Sequence, residues 1–82
     1  MVTEAQLKAI LDRLPVEEPI VRVEREGLSL IASVTTPTFT PLDEADRQEM
    51  VWGYLLEQLG DGGVDHIEFV FTNAPGEAEA AE

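Results

Sequence analysis

His66 is the only histidine of the chain, and Asp65 and Glu68 stand beside it. An imidazole titrates near neutrality and serves as general base, proton donor or metal ligand. One imidazole does not hold a transition metal by itself, and the 82 residues include no Cys to complete a thiolate site. His66 is thus the single candidate metal ligand, set against the plainer reading of a solvated residue on a strand. Zero Cys also removes disulfides and a Cys nucleophile. Carboxylates are abundant, with 17 Asp and Glu, but paired-acid catalysis needs two of them held across a cleft. A chain this short, with its apolar residues committed to one core, has little room for such a cleft. No nucleophile elbow, phosphate-binding loop, dinucleotide fingerprint or zinc-protease motif is present. Asp61-Gly62-Gly63-Val64-Asp65 lacks the spacing of a calcium loop and reads as a helix-to-strand turn. The sequence is therefore read as non-catalytic.

The remaining candidates concern partners. Trp52 and Tyr54 lie two apart on one helix and cannot fully share a face; the plain reading gives them to the core, and the functional one leaves one of them at a rim as an anchor for a partner. Arg47 is the only basic residue beyond position 25; its plain reading is an intrahelical pair with a neighbouring acid such as Asp43. Formal net charge is −12. Residues 1–41 hold four basic and six acidic side chains, and residues 42–82 hold one basic and eleven acidic. A surface this acidic repels phosphate backbones, which disfavours nucleic acid and favours a basic or neutral protein partner. No apolar run spans a membrane and no basic segment leads into an apolar one, so a cytoplasmic location is expected.

The elements that must position these residues follow from periodicity. Leu7, Ile10, Leu11 and Leu14 repeat at helical spacing, with Thr3 and Gln6 at capping-box distance and Pro15 as a stop, predicting a helix over 3–14. Val21 and Val23 alternate with Arg22 and Glu24 over 20–25. Across a turn at Glu26-Gly27, Leu28, Leu30, Ala32 and Val34 share one face of a second strand running to about Thr36, which predicts an antiparallel hairpin. Pro37 and Pro41 bracket an extended stretch containing Phe39. Thr40-Pro41 then opens a second helix to Leu59, ended by Gly60, with a loop at 61–63. The last strand covers about 64–72, with Ile67, Phe69 and Phe71 assigned to the core and His66, Glu68 and Val70 outward. The order α-β-β-α-β predicts an α+β fold, one small domain over residues 1–73, with a three-stranded sheet and both helices on one of its faces. Residues 74–82, rich in Glu and Ala, are expected to be a disordered acidic tail.

The stretch from Val34 to Leu59 resembles the BolA family. That family shows a strand ending in V-S-x-x-F and, eight residues later, R-H-R-x-V-Y in a helix. Thr36-Pro37-Thr38-Phe39 takes the first place, and Arg47-Gln48-Glu49-Met50-Val51-Trp52 takes the second without a gap. The segment ending at Ala74-Pro75-Gly76-Glu77 is similar to the family's H-A-L-x-L-x-x-x-T-P-E-E. Gln48 and Glu49 replace the central His and second Arg, which reverses the local charge. The family's ligand-bearing loop between the first two strands is cut here to Glu26-Gly27-Leu28-Ser29, with neither His nor Cys. The family's late His matches His66 by residue type and Asp65 by pleat alternation.

The resemblance implies a BolA-like, KH-like fold and a non-catalytic adaptor role beside a monothiol glutaredoxin in iron–sulfur trafficking. It implies no intrinsic cofactor but a 2Fe–2S cluster shared with that partner, His66 being the one ligand offered and the thiolates coming from the partner. Arg47, Trp52, Tyr54 and Asp65 are then the candidate partner-binding residues. The rival from the residues alone is an acidic interaction domain with no metal role. A second resemblance, to the PaaD/SufT-type iron–sulfur assembly domain, rests on Thr35-Thr36-Pro37-Thr38-Phe39, with Phe39 where that family has its Cys.

Overall fold

The computed structural model describes residues 2–77. Two helices and three strands follow in the order α1 (Glu4–Asp12), β1 (Ile20–Glu26), β2 (Ser29–Thr35), α2 (Glu44–Val64) and β3 (Ile67–Asn73), with a short 3-10 turn at Pro37–Phe39 before α2. The sheet order is β1-β2-β3. β1 and β2 are antiparallel; β2 and β3 are parallel, and α2 supplies the long crossover a parallel pair requires.

α1 begins as its residues dictate. The Thr3 hydroxyl accepts from the Gln6 N–H and the Gln6 side chain accepts from the Thr3 N–H, satisfying two free donors of the first turn. Leu7 and Leu11 are fully buried, and Leu14 is buried just past the helix end. The β1–β2 turn consists of Gly27 and Leu28, since Glu26 pairs with Ser29. Gly27 has φ 62°, a conformation glycine adopts at little cost. Leu28, expected on the core face, is instead a turn residue and 79% exposed; the tight turn takes both positions and the alternation restarts at Ser29.

The segment expected to be extended after Pro37 closes into the 3-10 turn. Thr36 accepts from the Thr38 N–H, Pro37 occupies the first turn, and Phe39 is driven into the core with no exposed surface. The Thr36 hydroxyl donates to the Glu17 carbonyl, and the Glu17 N–H donates to the Thr38 hydroxyl at 2.9 Å, so the α1–β1 linker is pinned to this turn. α2 starts at Glu44, not at Pro41, because Asp43 caps it by accepting from the Asp46 N–H at 2.9 Å. Gly60, with φ 72°, breaks the helix as expected. Residues 61–64 then turn helically again, where a loop over 61–63 and a strand starting at about Val64 were expected, so the last strand begins only at Ile67.

β3 departs most from the alternation read in the sequence. Leu30 pairs with Ile67, but Ile31 pairs with Phe69, so Glu68 is an extra residue in a bulge. A bulge moves every following side chain to the opposite face. Val70 and Thr72 therefore point into the core, while Phe69 and Phe71 are 41% and 52% exposed, the reverse of the expected facing. Their rings meet edge to face, with centroids 4.7 Å apart.

The core lies between the helices and one sheet face and gathers Leu7, Leu11, Val34, Phe39, Val51, Leu55 and Val70, all with no exposed surface. α1 packs on β1 and β2, and α2 packs on β3. Among the described residues, the opposite face has no covering element. The fold is thus the expected α+β sheet with both helices on one side. Its packed region runs beyond residue 73. Ala74 is 3% exposed, and Glu77 is hydrogen-bonded into the domain. The expectation of a disordered tail from residue 74 does not hold for 74–77; residues 78–82 lie outside those described.

Candidate functional site

α1 and the end of α2 do not close on one another completely. Between them lies an open groove of about 530 Å³, lined by Val2, Gln6, Ala9, Ile10, Leu59, Gly62, Gly63 and His66. Its walls are mainly apolar, and Gln6 and His66 are its polar side chains. Gly63 shapes one wall: a Cβ there would meet the Leu59 Cβ at 2.6 Å, so only glycine lets the broken end of α2 fold back over Leu59. His66 is half-buried just ahead of β3, and its carbonyl accepts from the Leu30 N–H at 2.8 Å. Strand pairing thus fixes the backbone that carries the imidazole.

The donor set around His66 is small. Among the described residues no group of three His, Cys, Asp or Glu side chains could hold a metal ion. The described residues therefore do not fit a metal held by this chain alone. Asp65 is the exposed C-cap of α2 and does not line the groove, whereas His66 does. The alternation that matched Asp65 to the ligand position took Ile67 and Phe69 as both core-facing. The bulge turns Phe69 outward and removes that premise.

Arg47 lies elsewhere and is occupied. Its side chain is only 8% exposed. Nε donates to the Phe39 carbonyl at 3.0 Å and the Leu42 carbonyl at 2.9 Å. Nη1 donates to the Thr72 carbonyl at 3.3 Å and to Glu77 Oε1 at 2.7 Å, and Nη2 donates to Glu77 Oε2 at 3.1 Å. Its guanidinium carbon is also 5.8 Å from the centre of the Phe39 ring. The expected pair with a neighbouring helical acid is replaced by one with Glu77, and little of the side chain is left exposed. The bond from Arg47, aided by the Ala74 N–H, holds the Glu77 carboxyl down from 4.5 to about 2.

Gln48 continues this network. Its amide donates to the Val70 carbonyl at 2.8 Å and to Glu44 at 3.0 Å, and its oxygen accepts from the Trp52 indole at 2.9 Å. Thr72 donates to the same Glu44 oxygen at 2.7 Å. Trp52 and Tyr54 are both half-buried against the core, in line with the core-packing reading, and neither is set apart at a rim. The positions matched to S-x-x-F and to the start of R-H-R-x-V-Y thus bind the 3-10 turn, α2 and β3 together. His66 alone of the expected site residues lies at the groove.

Sequence reasoning missed the groove walls and Glu77. Val2, Ile10 and Leu59 carry only the signal of ordinary core residues, and nothing local to Glu77 points to Arg47, 30 residues away.

No family model and no curated protein matches the chain. Among solved structures it is similar to "a bol-like protein from Babesia bovis", with 20% identity and a TM-score of 0.59 over 99% of this chain and 94% of that one. A variant of the MamM CTD is 17% identical, with a TM-score of 0.48 over 83% of this chain and 81% of that one. With two helices on one face of a three-stranded sheet and the Babesia likeness running nearly end to end, the chain has a BolA-like fold.

Proposed function

We propose that this domain is a non-catalytic, BolA-like adaptor whose groove receives a protein partner, and that His66 gives one ligand to a 2Fe–2S cluster carried by a monothiol glutaredoxin. The observation that supports this reading is the position of His66: a half-buried imidazole at an apolar groove, with no group of three metal-ligating side chains around it among the described residues. The cluster is cargo here. The partner's thiolates hold it, and this chain supplies an imidazole and an apolar seat. Titrating a cluster-loaded monothiol glutaredoxin with the protein, followed by visible absorbance and CD with size exclusion alongside, tests the reading. The expected result is a co-eluting complex with a shifted spectrum, and loss of the shift in His66→Ala. An unchanged spectrum in the His66→Ala complex removes His66 from the reading, and absence of any complex removes the partner.

A second reading keeps the partner and drops the metal, on the observation that the described residues hold no multi-ligand cluster. In it the exposed acids of α2, among them Glu49, Glu57 and Asp61, meet a basic surface and chiefly raise the association rate. Binding whose on-rate does not fall as salt is raised argues against it.

A further inference from the structure

The two edges of the sheet are treated differently. β3's free edge is already occupied from within: Gln48 donates to the Val70 carbonyl at 2.8 Å and Arg47 to the Thr72 carbonyl at 3.3 Å. No such bond reaches the main chain of β1 at Val21, Val23 or Arg25 among the described residues. These residues face outward for a geometric reason. Glu26 and Ser29 close a two-residue turn, so Glu26, Glu24 and Arg22 are the positions bonded to β2. Consistent with this, the N–H of Leu30, which stands opposite Arg25, points away from β1 to the His66 carbonyl. The main-chain N–H and C=O groups of Val21, Val23 and Arg25 therefore form an open row on a seven-residue strand. Such a row is a template for another strand.

The side chains of β1 say which strand. In a two-fold pairing centred on Val23, Arg22 stands directly opposite Glu24 of the other copy, and Glu24 opposite its Arg22. All outward main-chain groups of Val21, Val23 and Arg25 then find partners in the same register. Arg22 and Glu24 are both exposed, and neither forms an ion pair within the chain among the described residues. Arg25 is drawn over the helix face by Glu4, at 3.0 Å, which leaves the edge clear. β1 carries two Arg and two Glu and is neutral in a chain of net charge −12. Two copies meeting here bring together their least repulsive edges.

We infer that β1 is a self-association edge: two copies pair antiparallel through β1, centred on Val23, to form a continuous six-stranded sheet held in register by reciprocal Arg22–Glu24 pairs. This inference is independent of the groove at His66.

Sedimentation equilibrium at about 150 mM salt, where repulsion beyond about 8 Å is screened, tests it on the whole protein across a concentration series. The expected result is a mass rising toward twice that of the monomer. Arg22→Glu, which places like charges opposite one another, should weaken association at least tenfold, as should Glu24→Arg. The double exchange R22E/E24R rebuilds the same pairs in reverse and should restore it. Both positions are exposed on the uncovered face, so CD spectra of the variants should match the parent. A monomer at every concentration overturns the inference, as does a dimer that survives both single reversals or one that the double exchange fails to restore.

Discussion

Arg47 and Glu77 form a two-point ion pair across 30 residues of sequence, with bonds of 2.7 and 3.1 Å. The same guanidinium also binds carbonyls of the 3-10 turn, of the entry to α2 and of β3. One side chain thus gathers four separate backbone segments. The flat, forked donor set of arginine suits this, and lysine lacks it.

The Glu77 carboxyl gives a pH signature. Its value in the folded state, about 2, lies below the ordinary 4.5. A depressed carboxylate stabilises the fold fully above its unfolded value, and the contribution is lost as pH falls toward the folded one. The pair should therefore support the fold at pH 5 and above and fade between about 4.5 and 2. Urea unfolding of wild type and Glu77→Gln at pH 6, 4, 3 and 2 should show a gap that closes toward the acid end. A constant gap contradicts the assignment.

Arg47→Lys keeps the charge but loses the fork. The Phe39 and Thr72 carbonyls, both buried acceptors of Arg47, would be left short of a donor at about 1–3 kcal/mol each. A loss of at least about 2 kcal/mol in urea unfolding is expected. A variant within 0.5 kcal/mol of wild type, to take an order-of-magnitude threshold of about that size for ordinary surface changes, would show the network to be decorative.

The bulge at Glu68 decides which residues of β3 are needed. Val70→Asp puts an unpaired carboxylate into the core and should abolish cooperative thermal unfolding. Phe71→Ser removes an exposed ring and its edge contact with Phe69, at a cost of at most about 1 kcal/mol. Thermal melts followed by CD separate the two. The opposite ranking would restore the facing that simple alternation suggests.

Two glycines hold the end of α2. Gly60→Ala forces a side chain onto a backbone at φ 72° and ψ 174°, a conformation essentially reserved for glycine, at about 1–3 kcal/mol. Gly63→Ala strikes the Leu59 Cβ and must move a wall of the groove. NMR of Gly63→Ala should show shifts concentrated at Leu59, Val2, Ile10 and His66. Shifts spread evenly over β1 and the 3-10 turn would separate Gly63 from the groove.

The parts of this fold that were legible in the sequence are those built by near neighbours. Thr3 and Gln6 announce α1, Leu7 and Leu11 set its buried stripe, and the hairpin follows from alternation on either side of Gly27. What was not legible depends on distant partners. Ile67-Glu68-Phe69-Val70-Phe71 offers apolar side chains to both faces, so only pairing with β2 reveals the bulge that turns Val70 inward. Asp43 and Thr40 are both plausible helix caps by type, and the 3-10 turn at Phe39 settles the choice in favour of Asp43. For the site, residue type singled out His66, while the groove beside it is assembled from Val2, Gln6 and Ile10 at one end of the chain and Leu59 and Gly63 toward the other.

The position of β3 has a consequence for how the chain acquires its structure during synthesis. The β1–β2 hairpin joins neighbours and is available early, but one edge of β2 stays unpaired until its parallel partner arrives. That partner is the last of the three described strands to be made, and Arg47 waits still longer for Glu77. A nascent chain halted at residue 66 would hold the hairpin and both helical segments yet lack the strand that closes the core. Non-local pairing of this kind slows folding, and here the ribosome must release residue 77 before the final ion pair forms. Until then the unpaired edge of β2, like the open edge of β1, is a template for pairing with another chain.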